Sequence, residues 1–256
     1  MTGREQLTDG FRRAHEGLPR EAPGSGATTR LLLELAGALP PEPAVLDVGA
    51  GTGPASVLLA QLTGGRVTAV DLHEPFLDRL AERAEAAGVA DRVHPLHASM
   101  DALPIAPGSV DLLWAEGSAY FVGVDTALAA WRPLLSPGGV VVLTDAEWLT
   151  PHPAAAARAF WDAGYPGMRT TAANVAAMQR AGWEVRAVYV LPDSDWDAYY
   201  GPLAARIDEL GRDGVPVDTL TELREEITIR EAHGADYGYT GYVLRPRLGE
   251  GGEPVE

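Results

Sequence analysis

A glycine-rich turn at residues 45–53, Val-Leu-Asp-Val-Gly-Ala-Gly-Thr-Gly, constrains the fold of this chain more than any other segment. The apolar residues before the glycines are typical of a buried strand, and Pro54 after them suits the first turn of a helix. A strand, a glycine turn and a helix in this order form a nucleotide-binding corner at the carboxyl end of a parallel strand. Glycines serve where the backbone turns sharply and where a ligand comes close to the main chain. The segment therefore predicts an α/β domain with a parallel sheet and a ligand site at this turn.

The spacing of the glycines indicates which ligand the corner binds. Gly49, Gly51 and Gly53 form a G-x-G-x-G pattern, whereas dinucleotide-binding proteins use G-x-G-x-x-G to bring a pyrophosphate to a helix N-terminus. Pro54 stands where the third glycine of that motif would be, and Asp47 would repel a phosphate. The pattern favours a ligand with an amino group and no phosphate, and a nicotinamide-dependent oxidoreductase is the weaker alternative. On its own, the triplet also fits a tight turn without a ligand.

An acidic residue, Asp71, ends the next predicted strand, 18 positions after Gly53. A carboxylate at this place can accept hydrogen bonds from both hydroxyls of an unmodified ribose. The corner therefore fits an adenosine-like ligand without a pyrophosphate, and S-adenosylmethionine (SAM) has that structure.

Short β-rich runs alternate with helical patterns along the chain, which indicates a parallel sheet wrapped by helices. The predicted strands span residues 44–48, 66–70, 92–96, 110–114, 140–144, 184–191 and 237–244. The predicted helices span residues 54–62, 75–88, 151–164, 170–181, 196–211 and 218–233, and a further helix begins with Asp125 as its N-cap. Residues 19–26, rich in proline and glycine, predict a loop or arm, and residues 249–256 predict a fraying tail.

The composition excludes several classes of function. The chain carries 20 basic and 36 acidic residues, and its formal charge of −16 disfavours binding to nucleic acids and to anionic membranes. It has no cysteine, and all its basic residues are arginine, so thiol nucleophiles, disulfides and lysine Schiff bases are excluded. No run of about 18 apolar residues occurs and the N-terminus has no apolar core, so we expect a cytoplasmic protein without membrane spans. We expect a monomer or a homodimer.

These motifs resemble those of the class I SAM-dependent methyltransferases over residues 31–143. Residues 45–53 are similar to the first motif of that family, and residues 67–71 to its second strand. Residues 99–104, Ser-Met-Asp-Ala-Leu-Pro, resemble its adenine-contacting segment, and residues 134–139, Leu-Leu-Ser-Pro-Gly-Gly, the turn before its fifth strand. The resemblance implies a Rossmann-like α/β sheet of seven strands, mostly parallel with the last strand antiparallel, with helices on both faces and a small helical cap.

The same resemblance divides the chain into parts. It implies an N-terminal helix and arm over the cofactor site in residues 1–30 and a methyltransferase domain in residues 31–248. A helical insertion would lie at about residues 151–182, and a flexible tail would follow in residues 249–256. The implied cofactor is SAM, with S-adenosylhomocysteine (SAH) as its product.

The resemblance also implies roles for individual residues. Asp71 would hold the ribose, Asp101 would accept from the adenine amino group, and Met100 would pack on the adenine face. The region of Asp47 and Gly49 would take the methionine end of the cofactor. The implied cofactor-binding residues are Asp47, Gly49, Gly51, Gly53, Asp71, Leu72, Met100, Asp101 and Glu116.

A second resemblance covers nearly the whole chain. It concerns small bacterial methyltransferases that are loosely grouped with the quinone-biosynthesis methyltransferases. The similar segments are residues 114–120, 131–132, 146–150, 160–161, 165–166 and 237–239. It implies a single domain with inserted helices and indicates no substrate.

Three side chains are candidates for chemistry on the acceptor. Glu116 follows the fourth predicted strand, where it could take a proton from a hydroxyl or amine or stabilise a cationic acceptor. Glu116 could equally well accept a hydrogen bond from a nearby backbone N–H or bind the amino group of the cofactor. Glu147 follows the fifth predicted strand and could act likewise, although a solvated loop carboxylate is favoured. Tyr120 could pack over the sulfonium or position substrate, or it could only anchor a loop.

The remaining candidates are weaker. His94 and His97 lie near a strand end without an evident acidic partner, so we predict no metal site. His15 could close over the site from an N-terminal helix, and His152 lies near the aromatic segment. A lone histidine is usually structural or exposed, so a functional role is the less favoured interpretation for both. Many aromatic residues follow Asp145, and their excess fits core packing better than a substrate pocket.

The predicted function is SAM-dependent methylation of a small-molecule acceptor at oxygen, nitrogen or carbon by in-line displacement. The alternative is a SAM-binding regulatory or partner protein without turnover. Catalysis of acceptor methylation would separate the two.

Overall fold

A seven-stranded sheet forms the centre of the molecule, in a computed structural model that describes residues 9–247. The expected tail at residues 249–256 lies outside this part. The strands are β1 (Ala44–Val48), β2 (Arg66–Asp71), β3 (Val93–His97), β4 (Val110–Glu116), β5 (Leu135–Trp148), β6 (Trp183–Val190) and β7 (Tyr237–Pro246). Their order is β3-β2-β1-β4-β5-β7-β6. Strands β1 to β5 pair in parallel, and β7 lies antiparallel between β5 and β6. The predicted Rossmann-like arrangement, with an antiparallel last strand, is confirmed.

The helices connect and surround these strands. They are α1 (Asp9–His15), α2 (Gly26–Ala36), α3 (Pro54–Thr63), α4 (Glu74–Ala86), α5 (Val124–Trp131), α6 (Ala155–Gly164), α7 (Thr171–Arg180), α8 (Asp193–Arg212) and α9 (Val217–His233). Two short 3-10 turns span Ala119–Phe121 and Arg132–Leu134. Within residues 9–247, no helix is long and apolar enough to cross a bilayer.

Helices cover both faces of the sheet because successive strand residues point to opposite sides. One face packs on α2, α3 and α4 through an apolar core that includes Leu32, Leu59 and Leu80. The other face packs on α5 and α7 through a second core that includes Trp131 and Met178. The helix α7 thus belongs to the layer under the sheet, although its sequence lies in the expected insertion at residues 151–182.

A separate cluster of apolar side chains lies between helices α1, α8 and α9. Leu203 and Ile207 of α8 pack with Ala14 of α1. Leu220 and Leu223 of α9 cover the same cluster from the other side. These apolar contacts between α1, α8 and α9 bury the first helix against two of the last ones.

The aromatic residues that follow Asp145 pack mainly against one another. Trp148, Trp196 and Tyr237 belong to a third buried core. The guanidinium of Arg230 lies 4.0 Å from the ring centre of Trp196, so an internal cation already covers that indole. Core packing, the favoured interpretation of the aromatic excess, accounts for this cluster.

Two local predictions are wrong. Asp125 is not the N-cap of α5, because Gly123 holds that position and the helix begins at Val124. The Asp125 carboxylate instead accepts two hydrogen bonds from Arg169, at 2.8 and 2.9 Å. The fifth strand was expected to end at residue 144 but continues to Trp148, since β7 pairs with it along its whole second half.

Candidate functional site

The glycine turn after β1 has a backbone that requires glycine. Gly49, Gly51 and Gly53 have φ angles of 74°, 55° and 78°, a region that other residues rarely adopt. A Cβ atom at Gly49 would lie 2.3 Å from Cβ of Ser118, and one at Gly53 would lie 2.4 Å from Cγ of Leu80. The turn is therefore shaped both by its conformation and by close neighbours.

Asp71, at the end of β2, is fixed against this turn. Its Oδ2 accepts a hydrogen bond from the Gly51 amide at 2.9 Å, and its Oδ1 accepts one from the His73 amide at 2.9 Å. The side chain is partly exposed. Each carboxylate oxygen has a further lone pair, so the group can still accept from two ligand hydroxyls. The structure thus brings together the two features that the sequence linked only by spacing.

The residues expected to contact the adenine lie in the loop after β3, the strand that pairs with β2. Residue Ala98 follows β3 and donates its amide to the Asp71 carbonyl at 3.3 Å, which places the following loop beside Asp71. Met100 in this loop is partly buried against the second core, and its carbonyl accepts from the Trp131 indole at 3.1 Å. Asp101 is exposed. Leu72 is 62% exposed.

Asp47 lies beneath the turn, and its carboxylate does not face the open side. It is 2% exposed and accepts a hydrogen bond from the Ser56 hydroxyl of α3 at 2.5 Å. The pKa of Asp47 is raised to about 7, mainly by burial; the Ser56 hydrogen bond opposes this rise, and the charges of Glu116 and Asp71 contribute to it. Asp47 acts on the electrostatics of the site from a buried position, and its contact with the methionine end stays a prediction.

The raised pKa of Asp47 predicts a pH-dependent stability. Between pH of about 4 and about 7, the carboxyl is protonated in the folded protein but ionised in the unfolded chain, so the free energy of unfolding falls as the pH rises through this window. We expect Asp47→Asn to remove part of that fall, by up to a few kcal/mol. Urea unfolding of both proteins at pH 4.5 and pH 8 measures it. An equal fall in both would contradict the assignment.

Glu116, the last residue of β4, is held by three side chains. Its Oε2 lies 3.2 Å from Nη2 of Arg20, and its Oε1 accepts from Thr29 at 2.7 Å and from the Trp114 indole at 3.0 Å. Nη1 of Arg20 is buried without a hydrogen-bond partner. A carboxylate with this many donors is held in one orientation, which favours a binding role over proton transfer.

An arm between α1 and α2 lies over the glycine turn. The amide of Thr52 donates to Glu21 at 3.4 Å, and a Cβ at Gly51 would lie 2.6 Å from the same carboxylate oxygen. Burial raises the pKa of Glu21, and its Oε1 has no partner. A cleft of about 390 Å³ lies beside the arm, lined in part by Arg20, Pro54 and Arg83.

The arm was expected from its proline and glycine content, but Arg20 and Glu21 were not identified as site residues. The sequence distinguishes Arg20 and Glu21 only as two adjacent charged residues in a segment that is otherwise typical of a loop. The arm is fixed at both ends, because Arg83 donates to the Pro19 carbonyl at 3.1 Å and the Gly24 amide donates to the Asp195 carbonyl at 3.1 Å.

Glu147 is neither a solvated loop residue nor open to an acceptor. It lies inside β5, is 0% exposed, and accepts hydrogen bonds from Thr171 at 2.8 Å, from Asn174 at 2.5 Å and from the Tyr242 hydroxyl. The strand is longer than expected, so a residue assigned to a loop is in the sheet. We therefore assign Glu147 a structural role that joins α7 to the sheet.

Tyr120 lies in a group of aromatic side chains around a second buried acid. Its ring stacks on Phe121 at 4.2 Å and lies 5.6 Å from the ring of Tyr165. The Tyr165 hydroxyl donates to Oδ2 of Asp145 at 2.9 Å. Burial raises the pKa of Asp145 to about 7, and its hydrogen bond from Tyr165 lowers it. Sequence reasoning missed Asp145, since it lies beyond the expected end of the fifth strand.

The histidines take structural or surface positions. His15 is 2% exposed, and its Nε2 lies 2.9 Å from the Tyr199 hydroxyl, which joins α1 to α8. His94 Nε2 lies 2.7 Å from Arg66, and His152 is exposed. Across the described residues, no group of three or more His, Asp or Glu side chains could hold a metal ion.

Comparison with known proteins is consistent across sequence and structure. Residues 45–139 match a family model described as a methyltransferase domain. The dimethylglycine N-methyltransferase of Parasynechococcus marenigrum is 36% identical over 126 residues, which are 48% of this chain and 45% of that protein. The 27-O-demethylrifamycin SV methyltransferase of Amycolatopsis mediterranei is 34% identical over 131 residues, 50% of this chain and 48% of that protein. The chain thus spans less than half the length of these two relatives.

A solved structure extends the similarity to nearly the whole fold. The SAM-dependent methyltransferase of Geobacter sulfurreducens, crystallised in complex with SAH, superposes with a TM-score of 0.83 at 20% identity. The match covers 93% of this chain and 98% of that protein. The shared architecture therefore includes the helical parts outside the matched family segment.

Proposed function

We propose that this chain, which contains a methyltransferase domain with the class I SAM-dependent fold, transfers a methyl group from SAM to a small-molecule acceptor. The observation that carries the proposal is the position of Asp71. Its carboxylate is fixed by two backbone amides at the glycine turn and is still able to accept from a ribose. The matched family segment and the fold support the same conclusion.

The residues at the turn fit SAM. Gly49 and Gly53 let the turn pack closely on Ser118 and Leu80, since an added Cβ would collide with them, and Gly51 leaves its main chain without a side chain beside Glu21. Asp71 would hold the ribose, and the loop with Met100 would pack on the adenine. When bound, SAM supplies an activated methyl group on a positively charged sulfur.

The side chains around the methionine end would bind it electrostatically. Glu116 offers a carboxylate for an amino group. Arg20, with one buried nitrogen atom unpartnered, offers a donor for a carboxylate. Glu21 now lies where a ligand must approach Gly51, so the arm would move when the ligand enters. Closure of the arm over the bound ligand would exclude water from the site.

The acceptor is a small molecule with an oxygen, nitrogen or carbon nucleophile. The names of the relatives refer to dimethylglycine, a rifamycin and sterols, which are all small molecules. The charge of −16 argues against a nucleic-acid substrate. Whether the protein is a monomer or a homodimer stays a prediction.

Parallel calorimetric titration with SAM, SAH and NAD tests the cofactor. We expect micromolar binding of SAM and SAH and none of NAD. NAD binding alone would overturn the proposal in favour of an oxidoreductase. Release of SAH from SAM in the presence of an acceptor mixture then separates an enzyme from a regulatory protein that binds SAM without turnover.

Glu116→Gln distinguishes the two roles left open for this residue. We expect about tenfold weaker SAH binding, since the variant loses a charge-assisted interaction worth about 1.5 kcal/mol or more. Calorimetry measures it. Undiminished SAH affinity combined with lost turnover would instead make Glu116 the proton acceptor, and full turnover would remove it from both roles.

A further inference from the structure

Asp145 has an unsatisfied carboxylate oxygen next to the end of β4. Thr144 pairs with Glu116 in the sheet and accepts from the Gly117 amide at 3.1 Å through its carbonyl. Asp145 is the next residue of β5, just past the point where β4 ends. Its Oδ2 accepts from Tyr165, whereas its Oδ1 is buried without a partner. The proposed methyl donor would end at this same sheet edge.

A second unsatisfied atom lies opposite the first. Thr240 of β7 is the cross-strand partner of Asp145, so both side chains lie on one face of the sheet. The Thr240 hydroxyl is buried and has no hydrogen-bond partner either. Buried polar groups in native proteins are nearly always partnered, and two orphaned atoms on neighbouring residues call for an explanation. A bound polar ligand would satisfy both.

The surroundings of Asp145 are aromatic and acidic. The titratable groups that act on Asp145 or are acted on by it are Tyr120, Glu147, Tyr165, Arg169, Tyr239 and Tyr242. Arg169 supplies the positive charge in this set, and its guanidinium is bound to Asp125 at 2.8 and 2.9 Å.

We propose that Asp145 binds the acceptor and that this acceptor is an amine, held beside the rings of Tyr120 and Tyr165. The inference rests on the proposed methyltransferase function. A carboxylate without a dedicated counter-ion attracts an ammonium group, and tyrosine rings attract cations through their faces. An anionic acceptor would be repelled by Asp145 and Glu147.

Asp145 would also prepare the amine for reaction. A protonated amine has no free lone pair and cannot attack a methyl group. Transfer of one proton from the ammonium nitrogen to Oδ1 of Asp145 leaves the neutral amine with its lone pair and a neutral carboxylic acid, so charge and protons balance. A group with a pKa of about 7 can exchange this proton near neutral pH.

Access to Asp145 requires a local movement. Tyr120 lies on the 3-10 turn Ala119–Phe121, which is bounded by Gly117 and Gly123. Both glycines have positive φ angles, 61° and 84°. These two positions can absorb the backbone rotation needed to lift Tyr120 away from Asp145.

The test uses three probes of equal length but different charge, namely propylamine, propanol and propionate. Each is titrated against the full chain with saturating SAH, with binding followed by ligand-observed NMR. We expect propylamine to bind and propionate not to bind. Asp145→Asn should weaken propylamine binding about 30-fold or more, since it removes a buried charge partner. Asp78→Asn, which changes the net charge equally on the exposed face of α4, should leave it unchanged.

A pH series separates this role from a structural one. Propylamine binding should strengthen as the pH rises through about 7, because Asp145 ionises in this range. Tyr165→Phe removes a hydrogen bond that lowers the pKa of Asp145, so the midpoint should move to higher pH. This second variant also serves if Asp145→Asn does not fold.

Each remaining outcome is decisive. If wild-type protein binds SAH but prefers propanol, or binds none of the probes, the amine proposal is overturned while the methyltransferase function stands. Equal weakening by Asp145→Asn and Asp78→Asn also overturns it, because the effect is then one of net charge. If wild-type protein does not bind SAH, the underlying function fails first.

Discussion

Asp71→Ala is expected to weaken SAH binding about 100-fold, because two charge-assisted hydrogen bonds to the ribose contribute roughly 3 kcal/mol together. The carboxylate also accepts from the amides of Gly51 and His73, so its loss would loosen the turn that approaches the ligand. Both effects act in the same direction. Calorimetric titration of wild type and variant with SAH measures the change.

Two control variants test whether the effect of Asp71→Ala is specific to the carboxylate at this position. Asp71→Asn keeps the size of the side chain and one acceptor oxygen, so we expect an intermediate loss. Asp78→Ala changes an exposed acid on α4 and should leave SAH affinity unchanged. Thermal unfolding should give similar midpoints for all three variants. Unchanged SAH affinity in Asp71→Ala would mean that the ribose is held elsewhere.

Glu147→Ala is expected to lower the free energy of unfolding by about 4 kcal/mol, since each buried donor left without an acceptor costs about 1–3 kcal/mol. Three donors, on Thr171, Asn174 and Tyr242, would lose their acceptor in a fully buried place. The midpoint of thermal unfolding would fall by about 10 °C in a protein of this size. Circular dichroism during heating measures this shift.

The matched control for Glu147→Ala is Glu184→Ala on the edge strand β6. The Glu184 side chain is about half exposed and pairs with Arg186 at 3.0 Å, so its removal should change stability by less than about 0.5 kcal/mol. A small effect of Glu147→Ala on stability, with loss of turnover, would instead restore the catalytic role first considered for Glu147.

The parts of the fold that the sequence predicts well depend on local patterns. The turn at residues 49–53 combines a strand, glycines with positive φ angles and a helix that begins with Pro54, and each of these has a short-range signal. Asp71 follows by counting to the end of the next strand. The alternation of strands and helices then fixes a parallel sheet with helices on both faces.

The parts that the sequence does not predict depend on contacts between distant segments. Arg20 reaches Glu116 across 96 positions of the chain, and nothing near either residue encodes that pair. Asp145 and Glu147 become buried only because β7 extends β5 past residue 144. Residue type and spacing therefore predict the glycine turn and Asp71, whereas the proposed acceptor side depends on tertiary packing.

The position of β7 between β5 and β6 has a consequence for biosynthesis. Among the described strands, β6 pairs only with β7. During synthesis, β6 and the second half of β5 therefore lack this pairing strand until Tyr237–Pro246 has left the ribosome. Until then, the nascent chain exposes an apolar strand edge that can pair with other chains. Release from a stalled ribosome before this point should yield aggregates, and chaperone binding should concentrate on the late stage of synthesis.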